Sequence, residues 1–364
     1  MVKVAGTDSA ERVSLLRELG TFDATAIVMG VILGSGIFLV PSSMARQLDS
    51  LFVVLLAWLF GGLLTIFGAL SLAEMGATFP GAGGLYVYLR QAYGRPIGFL
   101  YGWGLLTAIN SGSIATLAVA FSLYTAQFMP LNQHGQKAVS ILCILLLTWV
   151  NCLGVRAGKL VQNLFTVAKL AGLAIMILTL FIKGHPAQLL PGEFWPTGGM
   201  GGFSVAPFGV ALLGVLWAYE GWHVVSFTAG EIKNPQRTLP RSLIYGTSLI
   251  LVVYILANLS YYSVLTRSEL MGSSAAAATA VSRAAGSTAT GLLSILILVS
   301  IFGSLNGTIL TGPRVYYAMA EDGVFFSALR RIHPRYHTPV VAIVVQGIWS
   351  SFLTLLGNFE QLFS

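Results

Sequence analysis

The stretch ATAIVMGVILGSGIFLVPSSMA, residues 24–45, decides how this chain folds. It carries no charged residue, and at 1.5 Å per residue a helix of that length reaches about 33 Å, enough to cross a hydrocarbon core of about 30 Å. Yet Gly34-Ser35-Gly36 stands at its middle. Glycine weakens a helix by about 1 kcal/mol against alanine. In lipid every backbone polar group needs a partner within the protein. A helix unwound at 34–36 leaves free carbonyls on one half and free amides on the other. The amides, aided by the helix dipole, suit a carboxylate, and the carbonyls suit an ammonium group. Together they suit an α-amino acid zwitterion. On this stretch alone, glycines that merely allow close packing are an equal alternative.

The rest of the chain repeats the membrane signal. Of 364 residues, 55% are hydrophobic and 9% charged, with a mean hydropathy of +0.80. A soluble domain carries roughly 25% charged residues. Further uncharged windows run from Ser50 to Ala73, Ser242 to Thr266 and Ala284 to Pro313. Nine spans are expected, near 22–45, 51–76, 97–128, 138–155, 160–183, 204–229, 241–265, 287–319 and 338–359. The third and eighth exceed what a bilayer needs and are expected to extend into a headgroup region. The segment before Thr21 lacks the layout of a cleaved signal peptide and reads as a cytosolic tail.

Lys and Arg set the orientation. With the tail inside, the inner loops hold fourteen of the twenty, Arg314 among them, and the outer loops hold five. Lys169 alone lies within a span. The net charge of +7 needs no nucleic acid, because positive loops facing an anionic inner leaflet account for it. The expected location is a cell membrane, crossed many times with the amino terminus cytoplasmic, in a bacterial inner membrane.

The sixth span contains a second irregularity, Leu216-Trp217-Ala218-Tyr219-Glu220-Gly221-Trp222. It places a carboxylate and a glycine at mid-depth, where an ionisable side chain points to function. Interrupted first and sixth spans hold matching positions in two five-span halves. That pairing points to an inverted-repeat transporter with its site at the midplane. Lys169 is the third anomaly. Its charge is expected to face protein or water, with snorkelling to the inner surface as the blander alternative. Cys143 and Cys152 lie about 13 Å apart along one helix, too far for a mutual disulfide. His333 and His337 flank Pro334 in a polar loop and do not make a metal site. Gly198-Gly199-Met200-Gly201-Gly202 reads as an outer loop entering the sixth span.

At these residues the chain resembles the amino acid–polyamine–organocation superfamily, and within it the L-type amino acid transporter branch. GSGIF at 34–38 is similar to that branch's first-span motif, and Ala73-Glu74-Met75-Gly76 with PGAGGLYVYLRQAYG at 80–94 to its second-span exit and first inner loop. GEIKNPQRTLPRS at 230–242, SLNGTILTGPRVYYAMAEDGVFF at 304–326 and HPRYHTP at 333–339 complete five motifs in order. The resemblance runs from about Leu16 to the end. It implies an all-α, five-plus-five inverted-repeat fold with discontinuous spans 1 and 6. The implied division is a tail over 1–20, a first repeat over 21–185 with spans 1–5, and a second repeat over 186–364 with spans 6–9. The family usually has twelve spans and its working core ten, so the chain is expected to be truncated after span 9.

The resemblance also implies roles. The amides of Ser35 and Gly36, with the Ser35 hydroxyl, are expected to hold the substrate carboxylate. The carbonyls of Ile32, Trp217 and Glu220 are expected to hold the amino group, with Trp217 as an aromatic gate. Gly34, Ile37, Ala218 and Gly221 complete the expected substrate-binding set. Lys169 matches a lysine whose ammonium stands where sodium-coupled relatives hold a sodium ion, which argues against sodium coupling and implies that it braces the unwound first span. Glu220 departs from the small or neutral residue common at its position. It could repel acidic substrates, attract cationic ones or bind a proton. His223 adds a second titratable group, with a hydrogen-bonded structural role as the blander alternative.

The expected function is a carrier of small or medium neutral amino acids working by alternating access, with exchange and proton coupling both open. A carrier of cationic amino acids or polyamines using Glu220 as counter-charge is one alternative, and a non-transporting membrane sensor another. No nucleophile–base spacing, metal-ligand cluster or phosphate loop points to an enzyme, a metal or a cofactor. The expected partners are the amino acid and the bilayer. A disulfide-linked heavy chain is not expected, because both cysteines fall within a span.

Overall fold

A computed structural model describes residues 13–185, 194–196 and 204–356. Its described residues are almost wholly helical. Span 1 is a broken pair, α1 (Thr21–Ile32) and α2 (Gly36–Gln47), bent by 43°. Span 2 is α3 (Leu51–Thr78), started by Ser50, whose hydroxyl accepts from the Val53 amide at 3.3 Å. A short α4 (Leu85–Tyr93) leads into span 3. That span is α5 (Arg95–Gly104), a π-helical turn at Leu105–Ile109 and α6 (Asn110–Thr125). Spans 4 and 5 are α7 (Gln133–Cys152) and α8 (Val155–Lys183).

Span 6 is again broken. Its first half, α9 (Val205–Ala218), gives way at Tyr219–Gly221 to a tighter 3₁₀ segment, Trp222–Glu231. Span 7 is α10 (Pro235–Tyr262), followed by a short α11 (Arg267–Gly272). Span 8 is α12 (Ala276–Thr311), kinked at Gly286 and continued by α13 (Pro313–Glu321). Span 9 is α14 (Val340–Leu356). Seven helical stretches are long and apolar enough to cross a membrane, eight with the bent pair, and α14 is a shorter apolar helix. Eight of the nine expected spans thus have a helix, or a bent helix pair, of spanning length, and at the ninth the described residues hold the shorter α14. Span 3 is interrupted by the π turn at Leu105–Ile109, and the helix that carries span 8 is kinked at Gly286, just before the expected start of that span.

Packing places span 1 at the centre. Helix α1 lies against α8, α10 and α12, and α2 against α9, α11 and α12. Lipid tails offer no drive for helices to associate, so small residues and polar side chains do much of the joining. A ladder of buried amides crosses four spans. Asn151 donates to Asn306 at 3.0 Å, Asn306 to Gln162 at 2.9 Å, and Thr166 to the α1 carbonyl of Ala26 at 3.0 Å. A second link, Asn110 to Gln346 at 2.9 Å, ties span 3 to span 9.

The structure changes two expectations about charged segments. The segment before Thr21 is not simply a tail, because residues 13–20 include a docked stretch. The amides of Glu18 and Leu19 donate to the Glu231 carbonyl at 2.8 and 2.9 Å, and Lys233 donates to the Leu19 carbonyl at 2.8 Å. Leu19 is fully buried, and Arg156 pairs with Glu18 at 2.8 Å. Arg314 is the second correction. It is not a loop charge but is fully buried, forking the Glu231 carboxylate at 2.7 and 2.9 Å and donating to the Leu310 carbonyl. Pro313 stands in the first turn of α13, and a bidentate partner makes the burial of Arg314 tolerable.

The glycine-rich stretch at 198–202 and the boundary expected at 185/186 lie outside, or at the edge of, the described residues. His333 and His337 serve the loop backbone. His333 Nδ1 accepts from the amides of Arg335 and Tyr336, and His337 Nδ1 lies 3.0 Å from the Ser14 carbonyl.

Candidate substrate site at two facing helix breaks

The two breaks meet. A Cβ on Gly36 would stand 2.9 Å from the Ala218 Cβ and 3.0 Å from its Cα, so only glycine lets the start of α2 approach the end of α9. Gly221 has φ +107, and a Cβ there would come within 2.6 Å of Val31. Each break thus presses a glycine against the other span. The helix rule broken at each glycine is compensated by contact between them.

At the first break α1 stops at Ile32 and α2 starts at Gly36, so both ends leave backbone groups without a partner in their own helix. The first amides of α2 have no partner within their own helix. Ser35 stands just before them with a side chain that does not cap the helix. Ser35, Gly36 and Ile37 thus stand where α2 begins. The carbonyls ending α1 lie across the break.

Lys169 answers most of those carbonyls. Fully buried on α8, it donates to the Gly30 carbonyl at 2.7 Å, the Leu33 carbonyl at 2.9 Å and the Ser300 carbonyl at 3.0 Å, with Ser304 Oγ at 3.2 Å. It does not snorkel. Ser300 and Ser304 add bonds to the Leu33 and Gly30 carbonyls at 2.7 and 2.9 Å. The charge is tolerated because every N–H finds oxygen.

Ile32, expected to hold an amino group through its carbonyl, is already engaged. That oxygen accepts from the Gly34 amide at 2.7 Å and the Tyr254 hydroxyl at 3.2 Å. The same hydroxyl lies 3.0 Å from the Ala218 carbonyl. It carries one hydrogen, so it serves one acceptor at a time and spans both breaks. The Trp217 carbonyl accepts from the Glu220 amide at 3.1 Å. The Glu220 carbonyl accepts from no backbone amide outside regular helix.

Side chains of the second break complete the site. The Trp217 ring reaches within 3.6 Å of where a Gly36 Cβ would stand, and is itself 42% exposed. Glu220 Oε1 lies 3.3 Å from His223 Nδ1, with the Glu220 side chain 61% exposed. The ionisable neighbour that Glu220 touches is therefore His223, while Lys169 spends its hydrogens on spans 1 and 8. His223 is wedged edge-on between Trp222 and Phe227. Behind the break, Tyr219 donates to the Trp58 carbonyl at 3.2 Å, and Trp58, Tyr219 and Tyr254 pack ring against ring.

Sequence reasoning missed Tyr254, Ser300, Ser304 and Trp58. The serines had a signal, a hydroxyl pair spaced i, i+4 inside an apolar window. Tyr254 and Trp58 had none, since aromatics in a span read as packing. Among the described residues no group of three His, Cys, Asp or Glu side chains could hold a metal.

Comparisons with known proteins establish the family and the fold. The amino acid permease family model matches residues 19–363. The serine/threonine exchanger SteT of Bacillus subtilis is 35% identical over 352 residues, covering 96% of this chain and 78% of that protein. The human large neutral amino acids transporter small subunit 2 is 34% identical, covering 95% of this chain and 65% of its own length. The rabbit b(0,+)-type amino acid transporter 1 is 34% identical, covering 98% and 73%. The chain thus spans about two thirds to four fifths of these relatives. A solved Na+-coupled sialic acid symporter shares the fold, with a TM-score of 0.65 over 93% of this chain and 75% of that one, at 14% identity. The chain is a multi-pass membrane protein of the amino acid permease family, in the amino acid–polyamine–organocation superfamily.

Proposed function

We propose that this chain holds the substrate site of a sodium-independent carrier of small or medium neutral amino acids that works by alternating access. The observation that carries the reading is the facing pair of breaks. Unpaired amides of α2 meet the carboxylate, and carbonyls around Trp217–Glu220 meet the ammonium group, so both charges of a zwitterion are read by backbone. Ser35, Gly34, Gly36 and Ile37 form the carboxylate side. Trp217, Ala218, Glu220 and Gly221 form the other, with Trp217 as gate. Ile32 joins the ammonium side when Tyr254 turns to Ala218. No bond is made or broken, and only differential affinity of the two orientations for substrate is needed.

The division into a first repeat over 21–185 and a second from 186 belongs to the same proposal, as does a cell-membrane location with the amino terminus cytoplasmic. Association with a second subunit would proceed without Cys143, which is buried, or Cys152, which ends α7. Uptake of labelled amino acids into proteoliposomes by the complete protein tests the reading. Saturable uptake of neutral amino acids is expected. Its absence across the standard twenty overturns the reading, and binding without uptake favours a sensor.

A second reading rests on Glu220. Its exposed carboxylate, with His223 beside it, could face a cationic side chain. Glu220→Gln separates the two. Under the leading proposal neutral uptake survives within about threefold, the cost of an exposed group being under 1 kcal/mol. Selective loss of arginine or lysine uptake installs the alternative.

A further inference from the structure

Helix α2 contains a proline one turn beyond the break. Pro41 has no amide hydrogen, so the carbonyl four residues earlier, at Ile37, loses its helical donor. Ile37 belongs to the first turn of α2 and is fully buried. Water cannot answer its carbonyl there, and an orphaned buried carbonyl is costly.

The missing donor comes from another helix. Tyr261 of α10, fully buried, donates its hydroxyl hydrogen to the Ile37 carbonyl at 3.3 Å. Tyr254 stands two turns earlier on α10, on the same face, and donates at the other side of the break to Ile32 or Ala218. One face of span 7 therefore holds both the end of α1 and the start of α2.

We infer that Tyr261 is a positioning residue for transport, its hydroxyl replacing the amide hydrogen that Pro41 lacks and so aiming the first amides of α2 at the substrate carboxylate. A bond within α2 would travel with α2. A bond from α10 is made only while α2 lies against α10, so it reports and stabilises that arrangement. The proline thus turns a local helix bond into a contact between two elements. The transport consequence rests on the proposed carrier function, whereas the clasp itself rests on geometry alone.

A double-mutant cycle tests it, using the parent, Tyr261→Phe, Pro41→Ala and the double variant of the complete protein. In Pro41→Ala the new amide can serve Ile37, and the tyrosine hydroxyl becomes redundant. Tyr261→Phe is expected to raise the KM for the transported neutral amino acid by about tenfold, the upper range for one net hydrogen bond, with a smaller change in kcat. In the Pro41→Ala background the same change is expected to shift KM by less than about twofold, because coupled sites are non-additive. Equal factors in both backgrounds overturn the clasp.

A second readout needs no transport. In ligand-free protein in detergent, amide hydrogen exchange over residues 36–42 is expected to quicken several-fold in Tyr261→Phe, and only with Pro41 present. Unchanged exchange in Tyr261→Phe overturns the clasp. A parent without uptake counts against the carrier reading, and the exchange result then decides the clasp by itself.

Discussion

Two fully buried cations, Lys169 and Arg314, are accommodated in opposite ways. Lys169 meets no carboxylate and spreads its hydrogens over oxygens of spans 1 and 8. Arg314 is paired outright with Glu231, far from solvent. Removing one partner of such a pair strands a buried charge, whereas removing both leaves an apolar gap. Arg314→Met is therefore expected to destabilise the protein by about 3–5 kcal/mol, and Arg314→Met with Glu231→Leu by clearly less. Thermal unfolding in detergent measures both, and a double variant no better than the single would refute the pairing argument. The pair joins span 8 to the end of the 3₁₀ segment of span 6, one structural step from the second break.

Helices here carry meaning where they stop. Helix α1 ends at Ile32 and α9 at Ala218 because the glycines that follow permit contacts that no side chain could. The docked segment at 13–20 follows a different logic, that of backbone pairing supported by a surface ion pair. Hydrogen bonding to Arg156 holds the Glu18 carboxyl below its ordinary value near 4.5. A carboxyl depressed in the folded state contributes fully above that ordinary value, and its contribution is lost as pH falls through the lower folded value. Because Arg156 is exposed, the contribution is small. An environment-sensitive dye at Val13→Cys is expected to show full docking above about pH 4.5 and a slight loosening below it, because the backbone pairing remains. Glu18→Gln is expected to flatten that dependence, and an unaltered curve would remove Glu18 as its cause.

At the scale of the whole molecule, the centre of the bundle is span 1, gripped by spans 5, 7 and 8. Under the carrier proposal the Lys169 ammonium fills an oxygen cage at 2.7–3.2 Å between spans 1, 5 and 8. Uptake is accordingly expected to be equal in sodium and choline media, and a clear sodium requirement would overturn that part of the proposal. Much of this plan was legible beforehand. Nine spans could be read because lipid demands long uncharged helices, and both breaks because glycines in such windows violate helix rules without local reward. Lys169 stood out because a lone charge in hydrocarbon needs a reason. Tyr254 and Tyr261 were not legible, since a tyrosine in an apolar window looks the same whether its hydroxyl is idle or holds a carbonyl. Arg314 looked like a loop charge because it follows a proline in a polar motif. Its partner lies 83 residues away, at a distance that no local pattern encodes. Composition and local pattern by themselves determined the solvent, the spans and the places where helices fail, because those follow from backbone hydrogen bonding along the chain. Only the tertiary structure decided which group satisfies each freed carbonyl, because those donors arrive from other helices and depend on how the helices pack.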